Sequence, residues 1–170
     1  MKGFKKFVEG ANLLLKYIVS VMFIALAVLV FFQVITRFVI DYPLAWSEEI
    51  SKYLMIYIVF FGSALAVKDR QHIAIDFLTE IVSPANKRKL NGLILIICSI
   101  FFVILTYFGF VLTFTVLDQA TPTLRFSIAW AYAAIPVGSL FMLLNAIYSF
   151  VAAPLEEDGE EITNMKGEAK

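Results

Sequence analysis

Four long runs without a charged residue divide this 170-residue chain and constrain its fold more than any other feature. The runs cover residues 17–36, 53–67, 90–117 and 126–155. A helix that crosses a membrane needs about 20 apolar residues, because about 30 Å of hydrocarbon is crossed at about 1.5 Å per residue. The first, third and fourth runs reach that length. Hydrophobic residues make up 61% of the chain, more than a soluble domain of this size can bury. We therefore predict an all-α polytopic membrane protein with four transmembrane helices.

The second run, residues 53–67, contains only 15 residues and is too short to cross a bilayer alone. As a helix it extends about 22 Å. A spanning helix must therefore begin near Ser47 and place Glu48, Glu49 and Lys52 at the outer interface. Ser47 is a good N-cap residue, and two glutamates in the first turn suit the positive end of the helix dipole. The sequence thus predicts a second span with a charged outer end.

The distribution of basic residues predicts the orientation. Eleven of the 14 lysines and arginines lie before the first run, between the second and third runs, or in the tail. Three lie on the other side: Arg37, Lys52 and Arg125. The positive-inside rule then places both termini and the 68–89 loop in the cytoplasm. The first run is expected to stay as a membrane helix, because no small-residue cleavage site follows it before Arg37.

These patterns give one transmembrane domain, residues 1–155, and a disordered acidic cytoplasmic tail, residues 156–170. Helical spacing of apolar residues over about 73–83 predicts a short amphipathic helix on the cytoplasmic interface, although an irregular loop with chance periodicity is the alternative. The predicted spans cover about 14–37, 47–67, 88–117 and 126–152.

The sequence offers no chemistry of its own. It contains no nucleophile–base pair and no metal-ligand cluster, so we expect no catalytic, substrate-binding or metal site, no cofactor and no enzymatic activity. Without a basic stripe with interleaved aromatics, nucleic-acid binding has no support. The first, third and fourth runs also lack an ionisable residue near mid-depth, where polar solute pathways usually carry one. An accessory membrane subunit fits this best. The alternatives are a small oligomeric four-helix transporter and a membrane scaffold protein unrelated to transport.

Several segments, in a fixed order, carry a family resemblance. Arg37 closes the first run and is followed by Pro-Leu-Ala-Trp-Ser-Glu-Glu at 43–49, Gly-Ser-Ala-Leu-Ala-Val at 62–67 and His-Ile-Ala-Ile-Asp-Phe-Leu at 72–78. In these segments, and over nearly its whole length, the chain resembles the small membrane subunit (DctQ-like) of tripartite ATP-independent periplasmic (TRAP) transporters. The block from 43 to 78 looks most like the sialic-acid members.

The resemblance implies a function shared with partners. In that family a periplasmic binding protein delivers an organic acid to a large, DctM-like membrane subunit, which carries it inward with sodium. The small subunit scaffolds the large one, helps dock the binding protein and has no transport site. The expected location is the bacterial inner membrane, in contact with membrane lipids. The expected substrate is a sialic acid or a C4-dicarboxylate.

Three sets of residues are candidates for contacts with these partners. Candidates for the subunit interface, which a solvated interfacial cluster explains equally well, are Arg37, Trp46, Glu48, Glu49 and Lys52. Candidates for docking the binding protein are Asp41, Tyr42, Asp118, Thr121 and Arg125. Candidates for binding lipid headgroups are Lys68, Arg70, His72, Lys87, Arg88 and Lys89.

Overall fold

The computed structural model describes residues 2–68 and 84–149, which form five helices. The helices are α1 (Lys2–Phe38), α2 (Ala45–Lys68), α3 (Pro84–Thr115), α4 (Ala129–Tyr132) and α5 (134–149). We call the segment Ala129–Ser149, which contains α4 and α5, the fourth span. Together with α1, α2 and α3 it gives four helices long and apolar enough to cross a membrane, which confirms the predicted fold class. The predicted interfacial helix and acidic tail lie outside the described residues.

The helix ends differ in detail from the sequence pattern. Helix α1 already begins at Lys2, ahead of the first uncharged run. Helix α2 begins at Ala45, so Ser47 lies inside its first turn and its hydroxyl donates to the carbonyl of Leu44 at 2.9 Å. The prediction that Ser47 is the N-cap is therefore wrong. The fourth span breaks at Ala133, three residues before Pro136, because proline has no N–H to bond the carbonyl four residues earlier.

The fourth span is the most enclosed of the four. In its most hydrophobic stretch of 18 residues 44% are buried, whereas none is buried in the most hydrophobic 18 residues of α1. Helix α1 packs along α2, while α3 packs along the fourth span. The helices meet in an apolar core near the end of the bundle where α1 begins and α5 ends. Its buried residues include Leu15, Phe61, Ala64, Phe102 and Met142.

Two glycines allow the fourth span to approach its neighbours closely. A β-carbon at Gly138 would lie 2.6 Å from the β-carbon of Phe60 on α2. A β-carbon at Gly109 on α3 would lie 3.0 Å from the Cδ of Pro136. Small residues permit such close approach of helices in a membrane, where packing provides much of the association energy. Both contacts of the fourth span therefore depend on the absence of a side chain.

A pair of buried asparagines joins three helices. The side-chain amides of Asn12 on α1 and Asn145 on α5 donate to each other's oxygens, at 2.7 and 2.8 Å. Asn145 also donates to the carbonyl of Ala64 on α2 at 2.7 Å, and Asn12 to that of Val8 at 2.8 Å. Both side chains are buried. The pair therefore sets the register of α1, α2 and α5, since an unpaired amide in this apolar surrounding is costly.

We expect Asn145→Ala to destabilise the isolated chain by roughly 1–2 kcal/mol, the range found for hydrogen bonds between membrane helices in model peptides, because two bonds to other helices are lost. The loss arises because the Asn12 amide and the Ala64 carbonyl each lose a partner. Unfolding of the detergent-solubilised chain with increasing denaturing detergent measures it. Ser20→Ala is the matched control, since that hydroxyl bonds only within α1, to the carbonyl of Lys16. A double-mutant cycle with Asn12→Ala that proved strictly additive would contradict the pairing.

Candidate functional site

A short hairpin connects α3 to α4 at the end of the bundle opposite Lys2. We call residues 119–128 the connecting hairpin. An antiparallel bridge pairs Ala120 with Ser127, and the Thr121 N–H donates to the carbonyl of Phe126 at 2.8 Å. At its turn, Arg125 adopts a left-handed backbone conformation, with φ of 56°. These contacts give the connection a defined shape although it contains no helix.

The carboxylate of Glu49 on α2 holds the connecting hairpin in place. One of its oxygens accepts from the backbone N–H groups of Thr123 at 2.9 Å and Leu124 at 3.3 Å. The other accepts from the Tyr53 hydroxyl at 2.7 Å. The Glu49 side chain is only 7% exposed, and Thr121, 2% exposed, lies beside it. Both oxygens of this carboxylate are thus occupied by groups of its own chain.

One side of α2 is not covered by any other described helix. The residues that form it recur every three or four positions, as expected for one side of a helix. We call this set the α2 exposed face: Glu48, Lys52, Met55 and Val59, which are exposed, and Gly62, which is half-buried. Its charged residues lie at the hairpin end, and its apolar residues follow, with Met55 54% and Val59 56% exposed. A β-carbon added at Gly62 would meet no atom within 4 Å. The face is therefore smooth and has no covering helix among the described residues.

The rest of the α2 circumference makes contacts within the chain. Ser51 is buried and accepts from the Gln33 amide of α1 at 2.7 Å. The Tyr57 hydroxyl donates to the carbonyl of Trp130 in α4 at 2.6 Å. Helix α1 and the fourth span thus contact α2 outside the α2 exposed face, which the other described helices leave uncovered.

The structure separates the five residues predicted for the subunit interface. Glu48 and Lys52 lie together on the α2 exposed face, whereas Glu49 points into the chain. Trp46 is 40% exposed in the first turn of α2, and Arg37 is exposed at the end of α1. Two adjacent glutamates therefore have different surroundings, which a helix of 3.6 residues per turn produces by rotating successive side chains by about 100°.

The residues predicted to dock the binding protein divide in a similar way. Asp41 and Tyr42, in the α1–α2 connection, are exposed, as are Asp118 and Arg125 at the α3–α4 connection. Thr121 is buried. Arg125 stands between Leu124 and Phe126, which both line an apolar groove on the side of the bundle. Four of the five predicted docking residues are therefore exposed, and the fifth, Thr121, is buried.

Of the predicted lipid contacts, the structure describes the side chain of Lys68 alone. It is half-buried at the end of α2, where a basic residue suits the negative end of the helix dipole. Arg70, His72 and the side chains of Lys87, Arg88 and Lys89 lie outside the described part of the chain. These lipid contacts stay predictions.

Sequence reasoning missed the residues that connect the helices. Asn12, Gln33 and Tyr57 each bond another helix through a side chain, and nothing in their local sequence indicates the partner. Ala134 and Gly138, two small residues four positions apart, are a local signal of a close helix contact, and the structure buries both residues. Gly109 also lies close to another helix, at Pro136 of the fourth span, and the sequence did not indicate this contact.

Comparison with known proteins identifies relatives of the chain. Residues 9–154 match the family model described as tripartite ATP-independent periplasmic transporters, DctQ component. Over 139 residues the chain is 30% identical to the sialic acid TRAP transporter permease protein SiaT of Haemophilus influenzae, covering 80% of this chain and 22% of that protein. The chain therefore spans about a fifth of the length of this relative.

Two relatives in Vibrio cholerae are described as small permease proteins. The sialic acid TRAP transporter small permease protein SiaQ is 26% identical over 129 residues, covering 72% of this chain and 71% of that protein. The C4-dicarboxylate TRAP transporter small permease protein DctQ is 33% identical over 85 residues, covering 50% of this chain and 36% of that protein. The relatives thus include proteins named for two classes of organic acid.

Proposed function

This chain belongs to the DctQ component family of TRAP transporters, and we propose that it scaffolds a large, sodium-driven permease subunit and helps a periplasmic binding protein to dock. The family membership confirms the resemblance found in the sequence. The chain is a multi-pass membrane protein, and the distribution of its basic residues supports a bacterial inner membrane location with both termini in the cytoplasm.

The α2 exposed face is the observation that carries the scaffolding role. A second membrane protein can bury Met55 and Val59 there and bring a helix close at Gly62, since small residues allow close packing in a membrane. Glu48 and Lys52 lie at the hairpin end of the same face and provide charges of both signs to orient the partner. We assign this face to the large permease subunit.

The docking role rests on the two connections at the hairpin end. Asp41, Tyr42 and Asp118 are exposed there and provide a polar surface outside the spans. The Glu49 carboxylate fixes the connecting hairpin relative to α2, so this surface needs little ordering when a binding protein arrives. Thr121, being buried, contributes to the shape of this surface and not to its contacts.

The substrate class follows from the relatives and not from a site in this chain. The relatives are named for sialic acid and for C4-dicarboxylates, so we propose the uptake of an organic acid of one of these classes. The binding protein and the large subunit would hold that substrate. Co-expression with the partner permease and a ligand screen of its binding protein would identify the acid.

Gly62→Leu tests the scaffolding role. We expect this change to lower co-purification of the large subunit at least about tenfold, because a leucine side chain would hold the partner helix away from α2. The isolated variant is expected to unfold like the parent chain, since the space at Gly62 is open. Affinity purification of the co-expressed subunits, with quantitative detection of both, measures the effect.

Gly92→Leu is the matched control, because Gly92 also has open space around it but lies on α3. It should leave co-purification unchanged. A fully assembled complex with Gly62→Leu, or an equal loss with Gly92→Leu, would refute the assignment of the α2 exposed face.

A further inference from the structure

Hydrogen bonds between helices place Lys16 of α1 within the membrane. Asn12, one turn earlier, bonds Asn145 of α5, which also bonds the carbonyl of Ala64 on α2. Ala64 lies about 6 Å along α2 from Lys68, the residue at which that helix ends. Lys16 lies about 6 Å further from the start of α1 than Asn12 does. Together these distances place the backbone of Lys16 roughly 10 Å inside the level of Lys68.

The described helices offer no carboxylate to Lys16 at this depth. Their acidic residues are Glu9, Glu48 and Glu49. Glu48 and Glu49 lie at the hairpin end of α2, across the membrane from Lys16. Glu9 lies about 10 Å nearer to the start of α1, where it accepts from the Tyr148 hydroxyl at 3.2 Å. The side chain of Lys16 is exposed, and a charge at this depth costs free energy unless it reaches the headgroups or meets an opposite charge.

Lys16 lies on the flank of α1 that borders the α2 exposed face. Leu15 packs in the core of the bundle, and Ile18 lines the apolar groove together with Tyr57 of α2. Since successive residues of a helix turn by about 100°, Lys16 and Ile18 lie on opposite flanks of α1. On α2, Val59 lies on the side opposite to Tyr57 for the same reason. The groove and the α2 exposed face thus lie on opposite sides of α2, and Lys16 is on the side of the α2 exposed face.

Three more exposed residues of α1 continue this flank toward the hairpin end: Phe23, Val30 and Arg37. They follow Lys16 at intervals of seven residues and share its side of the helix, because two turns take about 7.2 residues. We call Lys16, Phe23, Val30 and Arg37 the α1 flank. Because α1 packs along α2, the α1 flank and the α2 exposed face form one continuous surface. This surface is apolar in its middle and carries charged residues toward both ends.

We propose that the large permease subunit covers the α1 flank together with the α2 exposed face, and that Lys16 forms an ion pair with a carboxylate of that subunit inside the membrane. The inference rests on the proposed scaffolding role and specifies the chemistry of the contact. A partner that packs on both helices excludes lipid and water from Lys16, so its charge has to be neutralised by a residue of the partner. The expected residue is an aspartate or a glutamate in the half of the membrane where α1 begins.

Charge reversal at Lys16 tests the ion pair. We expect Lys16→Glu to lower co-purification of the co-expressed large subunit at least about tenfold, because two carboxylates would then meet without water around them. Lys16→Arg, which keeps the charge, should leave co-purification close to the parent level. Lys6→Glu is the matched control, since Lys6 is also an exposed lysine of α1 but lies about 15 Å nearer to its start. Equal co-purification with Lys16→Glu and Lys6→Glu would overturn the proposal.

Cross-linking identifies the partner residue and keeps the proposal testable if Lys16→Glu does not fold. Dicyclohexylcarbodiimide, which enters membranes, joins an amine to a carboxylate in contact with it. In the parent complex we expect an amide bond between Lys16 and an aspartate or glutamate of the large subunit, found by mass spectrometry of the cross-linked peptides. Lys16→Arg should abolish this cross-link while the complex stays assembled, because a guanidinium group does not couple in this way. A parent complex in which Lys16 is cross-linked to no residue of the large subunit would refute the ion pair in favour of a contact with lipid phosphate.

The result with Gly62→Leu separates this proposal from the scaffolding role. If Gly62→Leu lowers co-purification and Lys16→Glu does not, the large subunit binds α2 without reaching Lys16, and the ion pair alone is rejected. If neither variant lowers it, the assignment of the α2 exposed face fails as well. Loss with both variants, and with neither Lys6→Glu nor Gly92→Leu, supports one continuous interface.

Discussion

Gly138→Val is expected to separate α2 from the fourth span and to destabilise the isolated chain by about 3 kcal/mol, at the upper end of the range for overpacked sites. A β-carbon at this position would lie 2.6 Å from the β-carbon of Phe60 and 3.2 Å from its carbonyl carbon. Because the carbonyl carbon belongs to the backbone and fixes the position of the β-carbon, the clash is relieved only by moving α2 away from the fourth span. Such a shift would also stretch the Asn145 bonds to α1 and α2.

Denaturing-detergent titration of the purified chain measures this loss, and Gly138→Ala should give a smaller one. Gly62→Val is the control for the isolated chain, because it introduces the same side chain into α2 where no atom lies within 4 Å. Equal stability of Gly138→Val and Gly62→Val would show that the close contact at Phe60 is absent.

Glu49→Ala is expected to release the connecting hairpin from α2. The N–H groups of Thr123 and Leu124 would lose their acceptor, as would the hydroxyl of Tyr53. Hydrogen exchange at the two backbone amides should accelerate at least about tenfold, since their protection depends on this one side chain. Exchange of the detergent-solubilised chain, read by mass spectrometry on peptides covering 119–128, measures the effect.

Glu48→Ala provides a closely matched control, because it removes the neighbouring glutamate from the same turn but from an exposed position. Exchange in the hairpin should then stay at the parent level. If both variants accelerated exchange equally, a general effect of negative charge at the start of α2 would explain the result. In the assembled transporter, Glu49→Ala should also weaken docking of the binding protein through the loosened hairpin.

The number and class of the spans were predictable from the sequence for a physical reason. Hydrocarbon satisfies no backbone hydrogen bonds, so a long uncharged run in a membrane has to be a helix. The same argument extended the short second run into its charged start, and α2 does contain Glu48, Glu49 and Lys52. The predicted class of the protein and its four membrane-spanning helices are therefore confirmed.

The local sequence does not indicate which small residues contact another helix of the same chain. Ala134–Gly138 and Gly62–Ala66 are equivalent patterns, yet Gly138 lies against Phe60 and Gly62 has open space. A pair of small residues indicates that another helix can approach closely. It does not indicate whether that helix belongs to the same chain. The prediction of Ser47 as N-cap failed because the helix begins two residues earlier, at Ala45.

The sequence by itself determined that this is a four-span membrane protein of the TRAP small-subunit family, because solvation and order of motifs are local properties of the chain. The tertiary structure alone decided the different surroundings of Glu48 and Glu49, since the hairpin amides that bind Glu49 lie 74 and 75 residues away. It also decided where the apolar groove on the side of the bundle lies, because its walls come from three helices and a hairpin. Contacts between distant segments depend on how the helices pack, and packing is a property of the whole bundle.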